Sequence, residues 1–282
     1  MIKTVKTTIV SKRIPLSFDG FRIVQVTDLH DAVFGEGQSE LLQTIKEQEP
    51  DIIALTGDFT GEKDADPENA VRFLEKLPEI APCFYVTGNH EYRLTEEHYT
   101  KLINGITDSG IHFLNNCTMD VERNDERIQV VGVEDPALMG EHHRALDGAK
   151  LAKEIKDSLF DPNIFTVLLV HRPEHLHVYA EAGVDLVLCG HSHGGQMRLP
   201  LVGAFYVPSQ GLFPKYDRGL FREGDTQMFI CSGLGNSVVD KRMLCPPEIA
   251  VITLKSTFVP DVIIQEEKNF DEKGDTDNEQ SQ

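Results

Sequence analysis

Five short apolar runs, each ending on a polar cluster, restrict this chain to a narrow set of folds. Residues 21–26 run into Thr27-Asp28-Leu29-His30, and residues 51–55 into Thr56-Gly57-Asp58. Residues 83–86 run into Thr87-Gly88-Asn89-His90-Glu91. Residues 166–170 stop at His171-Arg172-Pro173, and residues 185–189 at Gly190-His191-Ser192-His193. Runs this short, rich in β-branched residues and without polar alternation, read as strands buried on both faces of an α/β sheet. In such sheets ligands collect beyond the carboxyl ends of the strands. Any one of these clusters alone is an ordinary loop. Five in succession place a site at one edge of the sheet.

The metal-competent residues are Asp28, His30, Asp58, Asn89, His171, His191 and His193. Carboxylate, amide oxygen and imidazole together suit a divalent ion of intermediate softness, namely manganese, iron or zinc. Only Cys189 brings a thiol near the clusters, which argues against a structural zinc knot. Seven donors exceed what one tetrahedral ion uses, so the set implies two ions sharing a carboxylate. Two ions about 3.5–4 Å apart hold phosphate oxygens and generate a bound hydroxide for in-line attack. Gly57, Gly88 and Gly190 let the backbone turn sharply at the strand ends. His90, beside the donors, is placed to protonate a leaving alkoxide. Glu91 reads either as the partner that sets the His90 tautomer or as a surface acid.

The order D-x-H, G-D, G-N-H-E, H and G-H-x-H resembles the calcineurin-like metallophosphoesterase superfamily, and all five blocks match. The resemblance implies that Asp28, His30, Asp58 and His193 hold one ion. It implies that Asp58, Asn89, His171 and His191 hold the other, with Asp58 bridging and His90 the catalytic acid. It runs over roughly residues 20–255, through Gly194-Gly195-Gln196-Met197-Arg198-Leu199-Pro200, Ser232-Gly233-Leu234-Gly235, Arg242 and Pro246-Pro247-Glu248-Ile249. Those later blocks look like a bacterial, phosphodiesterase-type branch. The fold implied is a four-layer αββα sandwich, two mixed sheets face to face with helices outside. The activity implied is hydrolysis of a phosphodiester or pyrophosphate bond in a small or lipid-linked substrate. A phosphomonoesterase on the same metals, and a non-enzymatic scaffold, are the alternatives. An intact His90 and donor set speak against the scaffold. Arg172, Arg198 and Arg242 are candidates for the remaining phosphate oxygens, because a guanidinium meets that geometry in a bidentate way. Each reads equally as an arginine near a strand end.

The formal net charge is −19 and the isoelectric point near 4.9. Such a body lacks the electrostatic footprint for long nucleic acid, which disfavours a nuclease. Residues 265–282 carry seven acids and two lysines, with too little apolar content to fold. The expected organisation is one metallophosphoesterase domain over residues 1–264 and an acidic disordered tail over 265–282. Five cysteines without a CxxC pair suggest a reducing compartment. Residues 1–17 read as a leading strand rather than a signal peptide. No apolar run approaches the roughly 20 residues needed to span a bilayer. These features together lead us to expect a cytoplasmic protein.

Helices are expected over 39–48, 68–76 behind Pro67, and 96–105. Residues 128–132, 205–207, 228–231 and 249–254 read as further strands, and 137–156 as a cap or helix. Glu134-Asp135-Pro136 occupies a position where substrate loops lie. His98, His112, His142 and His143 are expected to face solvent. His175 and His177 are expected at the end of a helix covering the site.

Overall fold

A computed structural model describes residues 1–61, 65–136, 144–200, 202–207, 209–237 and 241–258. One six-stranded sheet runs, in spatial order, β1 (Lys3–Ser11), β16 (Glu248–Ser256), β2 (Arg22–Val26), β3 (Ile52–Thr56), β4 (Cys83–Val86) and β5 (His112–Phe113). The second runs β14 (Gly219–Glu223), β15 (Thr226–Ile230), β9 (Leu186–Cys189), β8 (Thr166–Leu169), β7 (Glu126–Gly132) and β6 (Cys117–Arg123). Strands β2 to β5 are parallel, as are β7, β8, β9 and β15; antiparallel pairings with β16, β14 and β6 make both sheets mixed. Two short hairpins, β10 (Arg198–Leu199) with β11 (Gly203–Ala204) and β12 (Tyr206–Val207) with β13 (Gly211–Leu212), stand apart.

Side-chain alternation along each strand builds the layers. Ile23, Ala54 and Phe84 of the first sheet meet Val130, Val167 and Leu188 of the second in one buried core. The opposite faces are covered by helices. Val24, Leu55 and Tyr85 pack under α1 (Ser39–Lys46), α2 (Glu68–Leu74) and α3 (Glu96–Asp108). Val131, Leu168 and Val187 pack under α4 (Arg144–Asp157) and α5 (Leu176–Glu181). The expected four-layer αββα sandwich is therefore the observed fold. It explains why the strand runs lack polar alternation: both faces of β3, β4, β8 and β9 are buried.

The helices follow the sequence pattern closely. Leu41 and Ile45 bury one face of α1. Thr95 caps α3 by accepting from His98 N at 3.2 Å, and Glu96 and Glu97 favour the positive end of its dipole. That helix runs on to Asp108, three residues past the expected end. The 205–207 run yields only the two residues of β12. The 137–156 stretch becomes α4 from residue 144, while 137–143, with His142 and His143, lie outside the described residues. So does the 265–282 tail. His112 is exposed, whereas His98 is half-buried.

Buried polar ties bring the strand ends of both sheets together. Gln25 donates through Nε2 to Thr56 Oγ1 (2.9 Å) and to the Cys189 carbonyl (3.0 Å). Both lie at carboxyl ends, one in each sheet. Asp28 N donates to Gly57 O at 2.9 Å, and His30 N to Asp58 O at 3.1 Å. The loops after β2 and β3 thus form one hydrogen-bonded layer beneath the site.

Candidate metal centre

The polar residues after β2, β3, β4, β8 and β9 converge at one edge of the sandwich, and the backbone is bent to bring them there. Asp28, His30, Asp58, His191 and His193 all have left-handed φ, between 45° and 65°. Such conformations cost about 1–3 kcal/mol each and cluster where function requires them. Close approach also demands glycine. A Cβ on Gly88 would overlap the Asp58 carboxylate, and one on Gly190 the Asp28 carboxylate.

Two donor groups result, one made of Asp28, His30, Asp58 and His193 and the other of Asp58, His171 and His191, each with ligand atoms within 4.8 Å of one another. Asp58 belongs to both. His171 Nε2 lies 3.1 Å from Asp58 Oδ2, and His30 Nε2 lies 3.6 Å from the same oxygen. His193 Nε2 lies 3.3 Å from Asp28 Oδ1 and faces His30 Nε2 at 3.1 Å. Asn89, 5% exposed, keeps its Oδ1 buried without a hydrogen-bond partner, as does His191 its Nε2. Buried acceptors left unpaired this way are rare unless an ion or water completes them. Imidazole nitrogens that face one another and a carboxylate are a donor set that divalent cations fit.

The electrostatics agree with cation binding. Burial, and then the Asp58 charge, push the Asp28 carboxyl up to about 7, while His171 works against them. Burial pushes His30 down to about 3, and holds His191 and His193 well below their ordinary value. These three imidazoles are therefore neutral at pH 7, the form that ligates. His171 is the exception: burial pushes it down, but Asp58 and Asp28 outweigh burial and raise it to about 10. A proton there occupies the place a cation would take.

The calcineurin-like phosphoesterase family model matches residues 21–195, which contain every one of these donors. The chain belongs to that family. The metallophosphoesterase YkuE of Bacillus subtilis is 33% identical over 264 residues, covering 91% of this chain and 87% of the relative. The phosphodiesterase YaeI of Escherichia coli K12 is 29% identical over 238 residues, covering 83% of this chain and 82% of the relative. Among solved structures, the sulfate thiohydrolase SoxB of Thermus thermophilus matches with a TM-score of 0.50 at 13% identity. That match covers 86% of this chain and 57% of the other, and shows likeness of fold alone.

The residues around the donors of this calcineurin-like chain differ in part from expectation. Glu91 does not bond His90. It is fully buried and accepts from Asp58 N (3.0 Å), Phe59 N (2.7 Å) and Gly88 N (2.7 Å). Its carboxylate thus pins the turns carrying Asp58 and Asn89, a role the G-N-H-E block hides because it lies in backbone contacts. His90 N donates to Asp58 Oδ1 at 2.8 Å, and its Nδ1 is bonded to the Gly61 carbonyl. His90 Nε2 lies 4.0 Å from Asp58 Oδ2.

Arg172 is 2% exposed and donates from Nε and Nη2 to Asp135, at 2.8 and 3.1 Å. The Glu134-Asp135 loop therefore braces the His171 turn from beneath. Arg198 donates to Asp217 (2.7 Å) and Gly194 O (2.8 Å). Arg242 donates to Ser232 O and Gly235 O and approaches His193 Nδ1 at 3.3 Å. His175 is buried at the start of α5 and His177 is exposed on it; neither joins a donor group. Sequence reasoning passed over Arg93, which is exposed and donates from Nη1 to His90 Nε2 at 3.0 Å. Its spacing of three from His90 on a helical turn was the available signal.

Proposed function

We propose that this chain hydrolyses a phosphodiester or pyrophosphate bond in a small or lipid-linked substrate, using two divalent ions (manganese, iron or zinc). Asp28, His30, Asp58 and His193 would hold one ion, and Asp58, Asn89, His171 and His191 the other. Bound there, such ions supply Lewis acidity to the phosphoryl oxygens and lower the pKa of water. The observation that carries the reading is the sharing of Asp58 between two buried donor groups.

His90 serves as the acid. Its Nδ1–H donates to the Gly61 carbonyl. This makes Nε2, the atom facing Asp58, the ring nitrogen that takes up and hands on the proton for a leaving oxygen, in exchange for the Arg93 hydrogen bond it accepts here. Arg93 reaches the same nitrogen, so a phosphate seated against His90 falls within reach of its guanidinium fork. The diester preference has two supports. One is the phosphodiesterase YaeI among the relatives. The other is that Arg172, Arg198 and Arg242 already serve protein acceptors, leaving less free positive charge for a dianionic terminal phosphate.

Protein stripped of metal and refilled with manganese is assayed on bis-p-nitrophenyl phosphate and p-nitrophenyl phosphate. Preferential, metal-dependent diester cleavage is expected. Preference for the monoester makes the protein a phosphatase, and inactivity on both with two ions bound favours the scaffold.

A further inference from the structure

Exposed large apolar side chains gather beside the metal centre rather than over the surface at random. Val202, Leu212, Phe213 and Leu244 are each about three-fifths exposed, at 58%, 61%, 61% and 60%. Phe205 and Met243, at 44% and 41%, join them. They lie on segments linked to one another. Phe213 N donates to Phe205 O at 2.9 Å, and the two rings meet edge to face at 5.6 Å. Phe205 N donates to Met197 O at 3.1 Å, and Met197 bridges Met243. Val202 and Leu244 line a cleft together with Arg218. Single exposed hydrophobics are normal, but a contiguous group marks an interaction surface.

The charge of this flap opposes that of the chain. Residues 196–218 and 241–245 hold Arg198, Lys215, Arg218, Lys241 and Arg242 against the single acid Asp217, in a chain of net charge −19. Asp217 is paired with Arg198 at 2.7 Å. Lys215 and Lys241 are exposed, Lys215 lying 4.6 Å from the centroid of the Tyr216 ring. Apolar tips with a collar of cations match a bilayer carrying anionic headgroups: the tips enter the acyl boundary and the cations meet phosphates. The net negative charge of the rest of the chain disfavours approach to an anionic surface by other faces. The flap is also tied to the metal centre through the Arg198 bond to Gly194 O (2.8 Å) and the Arg242 contact with His193.

We infer that the β10–β13 hairpins and the Met243-Leu244 turn dock this protein on an anionic lipid bilayer. Lys215, Arg218 and Lys241 then face the headgroups, and the metal centre lies against the membrane. The docking stands independently of the hydrolytic reading; only its use, delivery of a lipid-linked phosphoester, rests on that reading.

The test is co-sedimentation with phosphatidylcholine vesicles, with and without phosphatidylglycerol. The wild-type protein, Leu212→Ser/Phe213→Ser and Lys215→Glu/Lys241→Glu are compared, with a thermal melt of each to confirm folding. The wild type is expected to bind the mixed vesicles, more weakly in high salt, and each double variant to bind about tenfold less. Hydrolysis of soluble bis-p-nitrophenyl phosphate should be unchanged in both variants. Failure of that hydrolysis in the wild type sinks the enzymatic reading while leaving the vesicle result to stand. Absence of wild-type binding, or equal binding by the folded variants, overturns the docking. So does a concentration-dependent dimer abolished by Leu212→Ser/Phe213→Ser without vesicle binding, which assigns the face to a second copy.

Discussion

Asp58 is the residue on which the proposed centre turns, because two donor groups meet at its carboxylate and nowhere else among the described residues. Replacing it with asparagine keeps the shape and removes the charge that would hold two dications together. Asp58→Asn is expected to lose metal, measured by plasma mass spectrometry, and to slow turnover by more than about a hundredfold, since each lost 1.36 kcal/mol of barrier stabilisation is tenfold. Two full ions with wild-type turnover would remove Asp58 from the bridging position. His90 makes the complementary case. It belongs to neither donor group, so His90→Ala should retain both ions. Esters with poor leaving groups should slow about 10²–10⁴-fold, the usual worth of a positioned acid, and nitrophenyl esters far less. Equal slowing of both kinds of ester refutes the acid role.

At the scale of elements, the strand ends carry the chemistry and the turns after them carry the precision. The five buried strands, three of the helices and the leading and closing strands were legible in sequence, because burial on both faces and helical spacing leave unmistakable patterns. What pins the turns was not. Glu91 looks like a surface acid or a tautomer-setting partner, yet its carboxylate is spent on three backbone N–H groups, and no side-chain pattern encodes a backbone contact. Arg172 looks like a phosphate clamp until Asp135, 37 residues away in sequence, takes its guanidinium. Of the hairpin strands β10–β13 only β12 left a trace, in the 205–207 run; the others are too short for a periodic pattern. Gly88 tests how tightly the turns are set. Its backbone does not need glycine for conformation, since its φ is outside the left-handed region, so only the approach of Asp58 forbids a Cβ. Gly88→Ala should therefore lower metal content and destabilise the protein by about 1–3 kcal/mol, as overpacking does. Urea unfolding read beside metal stoichiometry checks both. An unchanged midpoint with two ions bound would show that the carboxylate has room to move.

Across the whole molecule, the buried charges make stability depend on what occupies the centre. In metal-free protein, Asp28 is raised from about 3.8 to about 7 by burial, so the folded state binds a proton that the unfolded state releases. Its contribution is lost as pH rises through that window. His171, raised from 6.5 to about 10, stabilises fully below 6.5 and loses its contribution as pH climbs toward 10. Glu154, pushed up to about 7 chiefly by burial, changes in the same direction as Asp28. The opposing groups act elsewhere. His30, His191 and His193 are depressed, and Asp58 is held low by His171 and His90 against its burial. Those four lose stability only as pH falls, the histidines below about 6.5 and Asp58 below about 3.8. From about pH 6.5 to 9 the sum therefore runs downward: Asp28 and Glu154 complete their loss near pH 7, and His171 carries the fall beyond it. Each pKa unit is worth about 1.36 kcal/mol, and about 1 kcal/mol moves Tm by 2–4 °C in a protein of this size. Scanning calorimetry of stripped protein should show Tm falling by several degrees over that range. Manganese-loaded protein should stay nearly flat, because a cation at Asp28 and His171 replaces the proton in both roles. Parallel pH profiles for the stripped and loaded forms would mean that the buried charges are balanced without metal, and the two-ion centre would lose its electrostatic basis.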